Sequence, residues 1–291
     1  MKKGKAILET LAGLAVILVL FVVLLVSCEN KIIYHPAKFP VGQWDTSGIP
    51  LPIQEVWFKA EDGVKLHGWY VPHEEAEASF LFFHGNAGNL SHRTENVFFL
   101  YHLKLNVFIF DYRGYGKSEG DPDERGIRLD SQAAYDMLMA QPGVSARSLI
   151  LFGRSLGGAF AAYIASQNPA AGLILESSFT NAKDMAGRMF PILPVGWFMS
   201  SELDTLSYVA HLNVPKLFLH GTADSIVPYT LGRELYQGAA EPKEFYNIAG
   251  AGHNNTIRVG GSDYFDKIKE FITRSTTPAG DTEISKAPPS Q

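Results

Sequence analysis

Apolar residues in this chain gather into short runs separated by longer amphipathic stretches. Residues 79–83, 106–110, 148–152, 173–177, 215–219 and 244–248 are compact apolar or β-branched runs of strand length,. Between them, residues near 90–103, 122–140, 155–167, 229–238 and 262–274 carry the helix formers and the wider hydrophobic spacing of helices,. From Val56 to Val71 two alternating segments flank Glu61-Asp62-Gly63, which predicts a β-hairpin,. Strands alternating with helices predict an α/β fold: a mostly parallel sheet of about eight strands with helices on both faces,.

The two ends depart from this pattern. Lys2, Lys3 and Lys5 precede an uncharged apolar run over residues 11–26, close to the roughly 17 to 25 residues that cross a bilayer as a helix. Lysines ahead of such a run favour an amino terminus left in the cytoplasm, with the rest of the chain on the extracytoplasmic side,. Two fates stay open. Leu25-Val26-Ser27-Cys28 resembles the cleavage box of bacterial lipoproteins, with Cys28 as the lipidated residue. The run also exceeds the roughly 7 to 15 apolar residues of a usual signal peptide, which favours an uncleaved anchor. Thr, Pro, Ser and Ala dominate the far end, which predicts a disordered tail,. The expected organisation is therefore an anchor or lipoprotein signal over 1–28, one catalytic domain over 29–275 and a tail over 276–291.

Composition narrows the chemistry. The 291 residues suit one α/β domain with a large core, at 46% hydrophobic and 19% charged residues,. A formal net charge of −5 offers no electrostatic reason to bind nucleic acid,. The single cysteine excludes an intramolecular disulfide and a thiolate metal cluster, and no His-Glu-x-x-His motif occurs,. No metal or cofactor is expected.

One stretch carries the candidate chemistry. Gly153-Arg154-Ser155-Leu156-Gly157-Gly158 follows the run 148–152 and precedes a helical segment. A strand, a tight turn and a helix in that order form a nucleophile elbow, in which glycines make room for a serine lifted above the sheet. A nucleophilic serine needs a base and a group to orient that base. Asp224 follows the strand 215–219 and His253 follows the strand 244–248, so Ser155, Asp224 and His253 lie in order at successive strand ends,. Glu176, at the end of another strand, is a rival for the orienting acid. The oxyanion hole needs two main-chain N–H donors. Leu156 supplies one, and the loop His84-Gly85-Asn86-Ala87-Gly88-Asn89 supplies the other from Asn86, or failing that Ala87. Arg154 either contacts substrate or braces a carboxylate such as Glu176, while Asp111 and Arg113 read as a structural ion pair holding their loop,.

These residues also carry a resemblance. His84-Gly85-Asn86-Ala87-Gly88-Asn89, residues 111–118, Gly153 to Gly158, residues 175–179 and residues 221–228 are similar to the α/β-hydrolases grouped with the fungal bud-emergence suppressor protein. That group includes mammalian protein depalmitoylases. The resemblance spans roughly residues 30–275. It implies an α/β-hydrolase fold and serine hydrolase chemistry at Ser155, Asp224 and His253 without a cofactor, and leaves the substrate open.

Hydrolases of this fold often insert a lid between the sixth and seventh strands, and here residues 180–213 are short for one. Met189, Phe190, Trp197 and Phe198, with Met185, Ile192, Leu193 and Met199, would suit an apolar wall for an acyl chain,. The plainer reading is that they pack one helix onto the sheet. The expectation is a membrane-tethered serine esterase or thioesterase acting on a small-molecule or lipid-like acyl substrate. A serine peptidase and a catalytically silent binding module are the alternatives.

Overall fold

The computed structural model describes residues 2–191 and 195–277. Eight strands form one sheet: β1 (Gln54–Lys59), β2 (Lys65–Val71), β3 (Ala78–Phe83), β4 (Leu105–Asp111), β5 (Leu149–Arg154), β6 (Gly172–Glu176), β7 (Lys216–Gly221) and β8 (Lys243–Ile248). Their order is β1-β2-β4-β3-β5-β6-β7-β8. Only β2 runs against its neighbours, antiparallel to both β1 and β4. The other pairings are parallel.

Side-chain alternation along the strands builds two cores, one on each face. Leu81, Phe83, Leu151, Leu173, Leu175 and Phe218 point into one. There they meet α4 (Glu124–Met139), α5 (Leu156–Gln167) and α8 (Tyr229–Gly238) through residues such as Ile127, Phe160 and Leu231. Phe80, Phe82, Ile150, Phe152, Leu217 and Leu219 point into the other. This second face is covered by α3 (Thr94–Tyr101) and α9 (Thr256–Thr276), through Val97, Leu100, Tyr264, Ile268 and Phe271. Strands buried on both faces cannot alternate in polarity, which is why their sequences read as unbroken apolar runs.

The topology fixes where chemistry can sit. β3 lies between β4 and β5, so the chain leaves β3 to one side and returns across it to the other. That reversal opens a crevice at the carboxyl ends of β3 and β5, where parallel sheets bind ligands. The loop after β3 and the turn after β5 meet there.

Three short helices and two helix boundaries differ from the sequence expectation. α2 (Glu29–Ile33) and α7 (Thr205–Val209) have no counterpart in it, and α6 (Ala182–Met189) has one only in the plainer reading of residues 180–213. At five to eight residues, none is long enough to show a helical hydrophobic period,. The expected helix 90–103 divides into a 3₁₀ turn, Leu90–Arg93, capped by the Asn89 side chain, and then α3. α9 begins six residues before the expected 262 and is carried through Gly261, whose φ of 54° kinks it. A glycine pair at 260–261 conceals that continuation in the sequence.

Near the amino terminus, α1 (Lys2–Ser27) packs against α2 and against the 3₁₀ turn Val195–Phe198. Its apolar side chains are largely bare, Ile17 and Leu20 being 64% and 63% exposed. Among the described residues no helix is long and apolar enough to cross a membrane. Of the expected span 11–26, the side chains of Ala15, Leu25 and Val26 lie outside the described residues, as does the expected tail from residue 278 onward.

Candidate active site

Ser155 sits between the end of β5 and the first residue of α5, with φ 53° and ψ −121°. A side chain at positive φ is strained, and the strain is held by close packing around it. A Cβ on Gly157 would lie 2.0 Å from the Phe83 carbonyl oxygen, and one on Gly158 would lie 2.0 Å from Ser178 Oγ. Only glycine lets α5 start this close to β3 and to the loop after β6. The Ser155 N–H donates to the Glu176 carbonyl at 2.8 Å, which pins the turn to β6.

Two later strand ends bring an acid and a base together. Asp224 Oδ1 accepts from the N–H groups of Ile226 and Val227, both at 2.9 Å. Its Oδ2 accepts from His253 Nδ1 at 2.7 Å. Burial alone would raise the Asp224 pKa, but the His253 bond and the two amides outweigh it and hold the carboxyl below its usual range,. Asp224 therefore stays ionised and fixes the tautomer in which His253 Nδ1 carries the proton, leaving Nε2 as the basic nitrogen. His220 lies 3.6 Å from the same carboxylate, donates Nε2–H to the Val227 carbonyl, and is kept neutral by its burial.

Arg154 ties these parts to each other. Its Nε donates to Glu176 Oε1 at 3.1 Å, and its Nη2 donates to the His253 carbonyl and to Asn254 Oδ1. Glu176 also accepts from Thr256 Oγ1 at 2.8 Å and from the Tyr264 hydroxyl. Of the two roles open to Arg154 in the sequence, the structure has the carboxylate brace. Glu176, fully buried and occupied by Arg154, Thr256 and Tyr264, is not the partner of His253.

The loop after β3 lies beside the elbow, with Gly85 so placed that a Cβ on it would meet Ser155 Cβ at 3.5 Å. Among the described residues, neither the Asn86 nor the Leu156 N–H has an acceptor, so both remain free to donate. The Asn86 side chain is bonded elsewhere, to His35, Ile33 and Tyr115.

One expectation needs correction. Arg113 does not pair with Asp111; it forms a forked pair with Asp130 and a second with Asp62. Asp111 turns the other way, accepting from the Leu90 N–H at 2.7 Å and lying 3.4 Å from His84 Nε2. Met189, Phe190, Trp197 and Phe198 are exposed, Trp197 to 86%, and the turn that carries Trp197 and Phe198 packs against α1 and α6. Ile192 and Leu193 lie outside the described residues. Among the described residues no group of three or more His, Cys, Asp or Glu side chains is arranged to hold a metal ion.

Two contacts leave no signal in the sequence: that of Arg154 with the His253 loop, and the engagement of Asn86 by residues 33–35. Both join segments more than fifty residues apart through main-chain atoms, and no residue pattern encodes such a contact.

Comparison with known proteins agrees with this architecture. A family model described as serine aminopeptidase, S33, matches residues 74–208. The α/β-hydrolase domain-containing protein WAV2 of Arabidopsis thaliana is 34% identical, over 90% of this chain and 93% of its own. Protein bem46 of Schizosaccharomyces pombe is 33% identical, over 86% of this chain and 88% of its own. An uncharacterized membrane protein of Saccharomyces cerevisiae is 33% identical, over 90% and 95%. Among solved structures, the Pyrococcus furiosus esterase Pf2001 superposes with a TM-score of 0.70 over 83% of this chain and 98% of its own, at 22% identity.

Proposed function

Because this chain belongs to the bem46-like family of α/β-hydrolases, we propose that it is a serine hydrolase that cleaves carboxylic esters or thioesters through an acyl-enzyme on Ser155. The observation that carries the reading is Ser155 at φ 53° on a glycine-packed strand-to-helix turn, with the Asp224–His253 pair presented from the neighbouring strand ends,.

In this reading Ser155 Oγ attacks the substrate carbonyl carbon and His253 Nε2 takes the hydroxyl proton. The negative charge on the former carbonyl oxygen is held by the Asn86 and Leu156 amides. Collapse breaks the bond to the leaving alcohol or thiol, which departs with the proton from His253. Water then attacks the acyl carbonyl and gives its proton to His253. The second collapse frees the carboxylic acid and returns the proton to Ser155. Asp224, kept ionised, stabilises the imidazolium formed in each half.

A serine peptidase of the same fold is the second reading, favoured by the description of the matching family model as a serine aminopeptidase. Tethering belongs to the proposal as well. The bare apolar side chains of α1 support association with a membrane, and a yeast relative is described as a membrane protein. The lysines ahead of the apolar run support an extracytoplasmic catalytic domain over residues 29–275, whether residues 1–28 stay as an anchor or residues 1–27 are removed for lipidation at Cys28,.

The test is labelling with a fluorophosphonate, followed by turnover of matched acyl esters, acyl thioesters and aminoacyl amides. Labelling of wild type that is absent in Ser155→Ala, with esters or thioesters turned over faster than amides, is the expected result. Equal labelling of the two proteins would overturn the nucleophile, and preferred amide cleavage would transfer the reading to the peptidase.

A further inference from the structure

Past α2 the chain runs extended over the outside of the catalytic end of the sheet, and its main chain is stitched into the loops that form the site. Pro36 pairs with Gly88 and Lys38 with Gly116 as isolated parallel bridges. Ala37 N–H donates to the Gly88 carbonyl at 3.0 Å, Gly116 N–H to the Ala37 carbonyl at 3.0 Å, and Phe39 N–H to the Gly116 carbonyl at 2.8 Å. Asn89 Nδ2 adds bonds to the Ala37 and Val41 carbonyls. This strap therefore grips the loop 84–89 from Gly88 and Asn89 on one side.

On the other side the grip is on Asn86. Its Oδ1 accepts from the His35 N–H at 2.9 Å and from the Tyr115 hydroxyl at 2.8 Å, and its Nδ2 donates to the Ile33 carbonyl. Tyr115 is fully buried, and burial holds its hydroxyl protonated as a donor. The side chain thus has three partners, while the N–H of the same residue has none among the described residues and lies in the loop beside Ser155. A side chain held by partners on both its oxygen and its nitrogen fixes the Cα from which the amide projects and so narrows the directions open to its N–H. The loop needs that constraint, since Gly85 and Gly88 flank it and Gly88 sits at φ 88°,. A donor lowers a barrier only if it is aimed before the charge develops.

We infer that the Asn86 side chain, Tyr115 and the strap residues 33–37 form a positioning clamp for the oxyanion amide, which makes the segment following the N-terminal helices a working part of the catalytic site. The inference rests on the serine hydrolase reading above. It carries a consequence for the amino terminus: removal of residues before Cys28 and retention of an anchor both leave the clamp whole, whereas cleavage beyond residue 33 releases the Asn86 side chain and disables the site.

The experiment uses the full chain as wild type, Asn86→Ala, Tyr115→Phe and His35→Pro, the last removing the N–H that meets Asn86 Oδ1 together with an exposed imidazole,. Each is measured for kcat and KM on an acyl ester, for melting temperature, and for inhibition by a trifluoromethyl ketone, whose adduct with Ser155 carries an oxyanion. Loss of one oxyanion donor costs about 10² to 10³ in kcat, so a misaimed donor should cost less. Asn86→Ala and His35→Pro should lower kcat about ten- to a hundredfold and weaken the ketone by the same factor, with KM within about twofold. Tyr115→Phe should do so about three- to tenfold. A loss of stability without parallel changes in kcat and ketone affinity overturns the clamp. If Asn86→Ala and His35→Pro do not fold, Tyr115→Phe decides, because it deletes one oxygen from an unchanged ring, and unaltered kcat and ketone affinity there overturn the inference. Wild-type enzyme that takes neither ketone nor fluorophosphonate overturns the serine hydrolase reading itself, which separates the two failures.

Discussion

Arg154 and His253 are joined directly: the Arg154 guanidinium donates to the His253 main-chain carbonyl at 2.5 Å. The residue before the proposed nucleophile thereby holds the loop that carries the proposed base. The same guanidinium is anchored on Glu176, which is itself fixed by Thr256 and Tyr264 of α9. Three segments distant in sequence, the end of β5, the end of β6 and the stretch from the loop after β8 into α9, are thus one bonded unit. Asp224 orients the imidazole ring from one side, and Arg154 sets the backbone height of the ring from the other.

That arrangement separates charge from geometry in a testable way. Arg154→Lys keeps a cation beside Glu176 but cannot span Glu176, the His253 carbonyl and Asn254 at once. It should lower kcat about tenfold with little change in KM, since the ring is displaced only along the reaction path. Arg154→Met leaves Glu176 as a buried charge without its cation and should lose about 3 to 5 kcal/mol of stability,. Denaturant unfolding and steady-state kinetics measure both. A lysine variant with full kcat would reduce Arg154 to a structural brace.

The choice of orienting acid yields a second prediction. Asp224→Asn should lower kcat by about 10⁴ with the fold intact, because the amide favours the wrong imidazole tautomer. Glu176→Gln should act chiefly on stability and only modestly on kcat, as its oxygens face Arg154, Thr256 and Tyr264. The reverse pattern, near-normal turnover in Asp224→Asn and none in Glu176→Gln, would move the acid to β6.

Much of this was legible in the chain because the same physics writes sequence and sheet. A strand buried on both faces must be apolar throughout, so β3, β5, β6 and β7 stand out and are met within two residues of the expected runs. The glycines around Ser155 announce the elbow because no other residue fits against Phe83 and Ser178. What stays hidden depends on main-chain partners or on direction. The strap 33–37 bonds through peptide groups that any sequence possesses. Arg113 points away from its near neighbour Asp111 toward Asp130 and Asp62, a choice made by the packing of α4 and the β1–β2 turn. The exposed state of Trp197 and Phe198 also escapes composition, since an apolar cluster reads alike whether it faces a core, a ligand or a lipid,.

Acid should loosen the seat of the amino-terminal segment. The Glu29 carboxylate accepts from the N–H and hydroxyl of Ser200 at 3.0 and 2.7 Å and from the N–H of Ser201 at 2.7 Å. Burial would raise its pKa, yet these bonds outweigh it and hold the group below its ordinary 4.5. A carboxyl depressed on folding stabilises fully above its unfolded pKa, and the contribution is lost as pH falls through the folded value. Glu29→Gln should therefore cost about 1 kcal/mol at pH 7, after allowance for solvent screening, with the gap to wild type closing as the pH falls below 4.5,. Denaturant midpoints of both proteins across that range measure it. A gap that is constant with pH would show that the carboxylate charge contributes nothing.

The exposed cluster at the end of α6 and in the turn 195–198 decides how substrate length should be read. Each methylene taken out of water contributes up to about 0.8 kcal/mol, so kcat/KM should rise up to about fourfold per added CH₂ in a series of p-nitrophenyl esters. Met189, Phe190 and Phe198 are bare to 62%, 41% and 47%, an open surface with no end wall. The rise should therefore level off gradually as the chain runs out over that surface, without the abrupt cutoff of a closed pocket. Under the proposal that the acyl chain runs over this surface, Phe198→Ala and Met189→Ala should flatten the rise for long acyl chains and leave acetyl ester hydrolysis unchanged. A sharp optimum at short chains that both variants leave intact would place the acyl chain elsewhere and take this surface out of substrate recognition.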